Sequence, residues 1–128
     1  MGESLKVYSP LTFAFLGDTV YSFYVCDYLV RKGNMQTAKL HKKMSSIVKA
    51  PAQAAALDVV SEILSDDERE AVKRGLKSKP EHHAKNASLY EYRKATALEA
   101  LFGYLQLEGR TERIRELVTL CIRASETE

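Results

Sequence analysis

The stretch Leu11–Val25, LTFAFLGDTVYSFYV, constrains this chain more than any other. It is apolar almost all the way round, yet it carries one carboxylate, Asp18, directly after Gly17. An acid inside a segment that must otherwise be buried is costly unless a base, a hydrogen-bond network or a cation compensates it. A helix that is apolar on every side is either central to its domain or lies at an interface. The chain has 128 residues, enough for one domain with a core of that kind and too few for two.

The rest of the sequence reads as helices, giving an all-α fold of about six helices in a single domain. No segment alternates apolar and polar residues between hairpin turns. Ser9-Pro10 is an N-cap followed by proline at the first helical position, and Gly33-Asn34 is a stop, so the first helix runs to about Arg31. A second helix covers about Gln36–Lys49, with Leu40, Met44, Ile47 and Val48 as its apolar stripe. Ala50-Pro51 restarts the chain, and a third helix extends from Pro51 to about Leu64 through the alanine-rich AQAAA. Ser65-Asp66-Asp67-Glu68 and Ser88-Leu89-Tyr90-Glu91 are capping boxes. They open a fourth helix to about Leu76 and a fifth to about Glu108. Gly109 closes the fifth, and Thr111 caps a last helix to about Ala124. Residues 1–9 then form an N-terminal extension, 10–124 the domain and 125–128 a frayed tail. Lys77–Ala87, KSKPEHHAKNA, lacks apolar periodicity and reads as an exposed loop.

Charge is segregated along the chain. The net charge is only +2, but Tyr28–Leu57 contains no acid and holds Arg31, Lys32, Lys39, Lys42, Lys43 and Lys49. Asp58–Glu70 is strongly acidic, and Lys73, Arg74, Lys77, Lys79 and Lys85 follow against a lone Glu81. Such blocks create local positive fields that a whole-chain charge hides. The only candidate membrane span is broken by Asp18 and Asp27, and MGESLKVYSP has no basic region leading into an apolar one, so neither a span nor a signal peptide is expected. Cys26 and Cys121 both sit in apolar helical patterns and read as small core residues rather than a disulfide or metal ligands.

The fifth helix repeats the oddity of the first. In ATALEALFGYL, Glu99 is flanked by Leu98, Ala100, Leu101 and Phe102. Helical spacing puts Tyr92, Thr96, Glu99, Gly103 and Gln106 on one small, polar face, with Leu98, Leu101, Phe102 and Leu105 opposite. Glu99 can thus look into a cleft, while Ala14, Gly17 and Ser22 leave comparable room near Asp18. A single buried acid more often caps a helix or pairs with lysine or arginine. Two of them in the two most apolar helices make a natural Mg²⁺ site, because Mg²⁺ takes hard oxygen ligands and is often held by one or two carboxylates plus phosphate.

These residues carry a resemblance. FAFLGDTVY (Phe13–Tyr21) resembles the signature motif of the ribonuclease III family. LHKKMSSIVKA (Leu40–Ala50) resembles the family's second conserved helix, and KATALEALFGYL (Lys94–Leu105) the helix that carries its catalytic glutamate. The three motifs lie in register from about Pro10 to Ala124. No double-stranded-RNA-binding module is expected after the domain, which makes the chain similar to the compact Mini-ribonuclease III branch. The resemblance implies the ribonuclease III endonuclease-domain fold, a homodimer, and Mg²⁺-dependent cutting of both strands of double-stranded RNA. It also implies a cytoplasmic role in maturing precursor large-subunit (23S) ribosomal RNA, with room for a ribosomal protein that presents the RNA. It makes Asp18 and Glu99 both catalytic residues and metal ligands. The full-length family has two further acids, at positions that are Ala14 and Thr96 here. The implied site is therefore a reduced, two-acid one, in which Thr96 hydrogen-bonds a metal-bound water, the substrate phosphate completes the coordination, and the free protein binds metal weakly.

RNA affinity is expected from Lys39, His41, Lys42 and Lys43, and from Lys77, Lys79 and Lys85, since double-stranded RNA is read mostly through shape, phosphates and 2′-hydroxyls. Lys39 and Lys43 share a helix face. His82-His83, adjacent in a loop, read as solvent-exposed or phosphate-contacting rather than metal-binding. The competing reading is a non-catalytic protein of the same fold that binds structured RNA in ribosome assembly. It draws on Ala14 and Thr96 but leaves the retained acid pair without a purpose. A helical protein–protein adaptor would explain the apolar first helix and neither the acids nor the lysines.

Overall fold

The computed structural model describes residues 5–78 and 88–126. Among these the regular structure is entirely helical. Six α-helices follow one another: α1 (Pro10–Lys32), α2 (Thr37–Val48), α3 (Ala50–Val60), α4 (Asp66–Lys77), α5 (Leu89–Leu107) and α6 (Thr111–Glu126). A 3-10 turn, Ser61–Ile63, joins α3 to α4. The boundaries expected from caps and breakers hold to within a few residues, apart from the end of the third helix, which gives way to the 3-10 turn.

The caps form as their chemistry dictates. The Ser9 hydroxyl accepts from the Thr12 N–H at 3.1 Å, ahead of proline in the first turn of α1. Ser65 and Ser88 each accept from the N–H of the glutamate three residues on, and those glutamates reach back to the serine N–H, closing both capping boxes. Gly109 ends α5 with φ +70°, in the left-handed region where glycine carries no Cβ penalty. The Arg110 N–H then donates to the Leu105 carbonyl at 2.9 Å.

α5 is the axis of the domain, packed against α1, α3, α4 and α6. Leu98, Leu101, Phe102 and Leu105 are fully buried, each contributing roughly 1.5–3 kcal/mol. The small polar strip opposite them does not face an open cleft along its length. Thr96 and Gly103 are buried, Tyr92 and Glu99 half-buried, and Gln106 exposed. The reason is that α1 lies directly on that strip. A Cβ at Gly17 would collide with the Glu99 carbonyl, and one at Gly103 with the Phe13 carbonyl. Gly17, read from sequence as leaving room beside Asp18, instead lets two backbones touch. Tyr21 stacks on Phe102 beyond the crossing, with ring centroids 5.1 Å apart.

α1 is not buried on every side. Phe13, Val20, Tyr21, Val25 and Leu29 enter the core, while Leu11, Phe15, Phe23 and Val30 are exposed, Phe15 by 81%. Asp18 is also exposed, so this acid does not lie inside the core. Cys121 is buried, but Cys26 is exposed, contrary to the sequence reading, because it shares the outward side of α1 with Phe23 and Val30. The segment before α1 is not wholly detached, since Leu5 packs against the core. α6 continues to Glu126, into the stretch read as a frayed tail. Among the described residues no helix is long and apolar enough to cross a membrane.

Candidate functional site

The glycine crossing delivers the two acids to each other. Asp18 follows Gly17 on α1, and Glu99 is the residue whose carbonyl Gly17 meets. The two carboxyl groups are hydrogen-bonded side chain to side chain. Burial pushes the Glu99 carboxyl up to about 8, with the Asp18 charge and the shared hydrogen bond adding to the rise. At neutral pH Glu99 is therefore held largely protonated beside Asp18. Two carboxyl groups facing each other are residues that could hold a divalent cation in place of a proton.

Two further side chains stand at the pair. The Tyr92 hydroxyl, two turns before Glu99 on α5, is pushed above its ordinary value by burial and by the charges of Glu99 and Asp18. Gln53, in the first turn of α3, is buried, donates through Nε2 to the Val48 carbonyl at 2.8 Å and hydrogen-bonds the Glu99 carboxyl. Neither was singled out as a site residue from sequence. Tyr92 shares the face of Glu99 by helical spacing, and Gln53 is the lone polar residue in an alanine run, so both left a faint signal. Among the described residues there is no cluster of three or more His, Cys, Asp or Glu. The donor set for a cation is thus two hard carboxylates, a composition that suits Mg²⁺ and leaves most of its coordination to water and substrate.

Thr96 is buried, and its hydroxyl donates to the Tyr92 carbonyl at 2.9 Å. Its proton is spent on its own helix, leaving lone pairs only for any cation-bound water. Lys39, His41, Lys42 and Lys43 are all exposed on α2, whose Leu40, Met44, Ile47 and Val48 face the core as the stripe required. Lys77 is exposed but belongs to the last turn of α4 rather than to a loop, because that helix runs one residue past Leu76. Lys79, Lys85, His82 and His83 lie outside the described residues.

The family description "Ribonuclease III domain" matches residues 11–110, which include both acids and both glycines of the crossing. The chain is 46% identical over 110 residues to a Mini-ribonuclease 3 from Brevibacillus brevis, covering 86% of this chain and 82% of that one. It is 38% identical over 124 residues to a Mini-ribonuclease 3 from a Thermoanaerobacter species, covering 97% and 87%. The crystal structure of a protein from Fusobacterium nucleatum superposes with a TM-score of 0.86 at 26% identity, covering 95% of this chain and 99% of that one. The chain belongs to the Mini-ribonuclease 3 group of the ribonuclease III family. It is a ribonuclease III-type endoribonuclease.

Proposed function

We propose that this enzyme cleaves double-stranded RNA with Mg²⁺ held by Asp18 and Glu99, acts in the cytoplasm on precursor 23S ribosomal RNA, and works as a homodimer. The observation that carries the reading is the hydrogen-bonded Asp18–Glu99 pair at the glycine crossing, with Glu99 pushed up to about 8. When bound, Mg²⁺ supplies an activated water and cancels charge on the phosphate. The protein's share is placement. Asp18 presents its carboxylate at the surface, where a phosphate can reach it, while Glu99 anchors the site from the buried axis of the domain. The fixed α1–α5 contact keeps both oxygen sets in one geometry. Lys39, Lys42, Lys43, Lys77 and His41 bind backbone phosphates and 2′-hydroxyls, as do Lys79 and Lys85, and affinity falls steeply with salt. A ribosomal protein that presents the RNA fits a domain whose RNA contacts are short basic segments.

The exposed row Leu11, Phe15, Phe23 and Val30 supports the dimer. The ribonuclease III family typically dimerises. A two-fold pairing through α1 gives an isologous contact, supplies one acid pair per RNA strand and covers Phe15. We expect the wild type to sediment as a dimer and Phe15→Asp as a folded monomer.

The decisive experiment is incubation with long double-stranded RNA and Mg²⁺, beside Asp18→Asn and Glu99→Gln. Wild-type cutting that drops by about 100-fold or more in both variants, with circular dichroism unchanged, supports the site. Salt-sensitive binding without cutting by the wild type, even with Mn²⁺ and precursor ribosomal RNA, overturns it in favour of a non-catalytic RNA-binding protein.

A further inference from the structure

Gln53 is a buried polar side chain whose hydrogen bonding does not close among the described residues. It is 3% exposed, at the start of α3. The Val48 carbonyl can only accept, so it fixes which way the amide points: the nitrogen faces Val48 and the oxygen faces away. Nε2 donates to Val48 at 2.8 Å, and the side chain stands within hydrogen-bonding reach of the Glu99 carboxyl. Among the described residues Oε1 is left buried with no partner. A buried acceptor without a donor destabilises the free protein. Here it belongs to the side chain that reaches Glu99.

A hydrated cation offers what Oε1 lacks. Mg²⁺ and Mn²⁺ held by two carboxylates keep several waters, and every such water is a strong hydrogen-bond donor. No third acid accompanies Asp18 and Glu99 among the described residues, so an additional protein oxygen has to come from a neutral group. We propose that Gln53 positions the metal site, its Oε1 accepting a hydrogen bond from a cation-bound water while its Nε2 holds the Glu99 carboxylate in place. The inference rests on the reading of Asp18 and Glu99 as metal ligands. It adds a neutral residue from a third helix and gives the free protein a reason to keep an unsatisfied oxygen.

The test reads metal binding rather than cleavage. Mn²⁺ is titrated into the RNA-free full chain, the unbound ion is counted by electron paramagnetic resonance, and melting is followed with and without Mn²⁺. Gln53→Met keeps the length of the side chain and removes the oxygen. We expect its Mn²⁺ affinity to fall about 10-fold and the melting increment produced by Mn²⁺ to shrink with it. Affinity within 2-fold of wild type in folded Gln53→Met overturns the proposal and leaves Gln53 as a brace between α2 and α3. If Gln53→Met does not fold, Gln53→Asn decides. It keeps the amide but draws its oxygen back by one methylene, so Mn²⁺ affinity should again fall about 10-fold, and affinity within 2-fold of wild type overturns the proposal. Asp18→Asn separates the two layers. Wild-type binding that Asp18→Asn abolishes keeps the two-acid reading even when Gln53 proves inert, whereas a wild type that binds no Mn²⁺ at millimolar concentration removes both.

Discussion

Two glutamates in this molecule are taken from water by neighbouring helices, and they are treated in opposite ways. Glu68, in the first turn of α4, is fully buried. Its Oε1 accepts from the Ser65 N–H and from Arg113 Nη2, and its Oε2 from Arg113 Nε, each at 2.8 Å. Burial alone drives this carboxyl up, but the Arg113 guanidinium and the Ser65 N–H overcome it and hold it below its ordinary value. Glu99 is less buried and has no arginine. It faces Asp18 and is pushed up to about 8. One acid is satisfied by the protein itself and staples α4 to α6. The other faces a second acid with no arginine beside it and is held protonated instead. A buried carboxylate with both oxygens engaged by donors is structural. One held against a second acid at a close crossing has no such structural partner, which is what the proposed cation-binding role draws on.

The comparison can be broken most forcefully at Arg113. Arg113→Met leaves Glu68 buried and unpaired, and should lower unfolding free energy by about 4 kcal/mol in urea. A loss below about 1 kcal/mol would mean that Glu68 is not held by its charge. The same pair sets an acid limb. Since the folded value of Glu68 lies below its ordinary 4.5, its contribution is present above about pH 4.5 and disappears as pH falls through the folded value. Arg113→Met should flatten that limb.

Next in size is the crossing. Gly17→Ala puts a methyl group into the Glu99 carbonyl and should cost about 3 kcal/mol as α1 and α5 separate. Any folded fraction should lose cleavage and keep the acid limb, because Glu68 stands elsewhere. Full activity in Gly17→Ala would show that the close crossing does not set the Asp18–Glu99 geometry.

The smallest effect has the opposite sign. Without divalent cation, the proton on Glu99 favours folding below about pH 4.5, and that contribution is lost as pH rises towards 8, the reverse of Glu68. Glu99→Gln cannot ionise. Its melting temperature should match wild type at pH 5 and exceed it by about 4 °C at pH 9, while cleavage is lost. No gain at pH 9 would mean that the two acids do not strain each other.

Much of this was legible in the chain. Ser9-Pro10, the two capping boxes and Gly109 are local chemistry, and local chemistry decides where helices start and stop. Asp18 and Glu99 stood out because a carboxylate among leucines, alanines and phenylalanines is an exception to partitioning. The role of Gly17 and Gly103 was not legible. A glycine in a helix reads as spare room until the partner helix is in place, and only then does the missing Cβ become the contact itself. Cys26 was misread for a related reason. An apolar neighbourhood in sequence says that a helix has a buried side, not which of several apolar sides it is.

By itself the sequence determined the six helices, the family and the two acids, because each depends on residues close together in the chain. The tertiary structure decided that α5 is the axis, that Asp18 stands at the surface while Glu99 is partly buried, and that Gln53, 46 residues before Glu99, reaches its carboxylate. These are consequences of which backbone surfaces fit closely enough to touch, and that fit is a property of two helices together rather than of either alone.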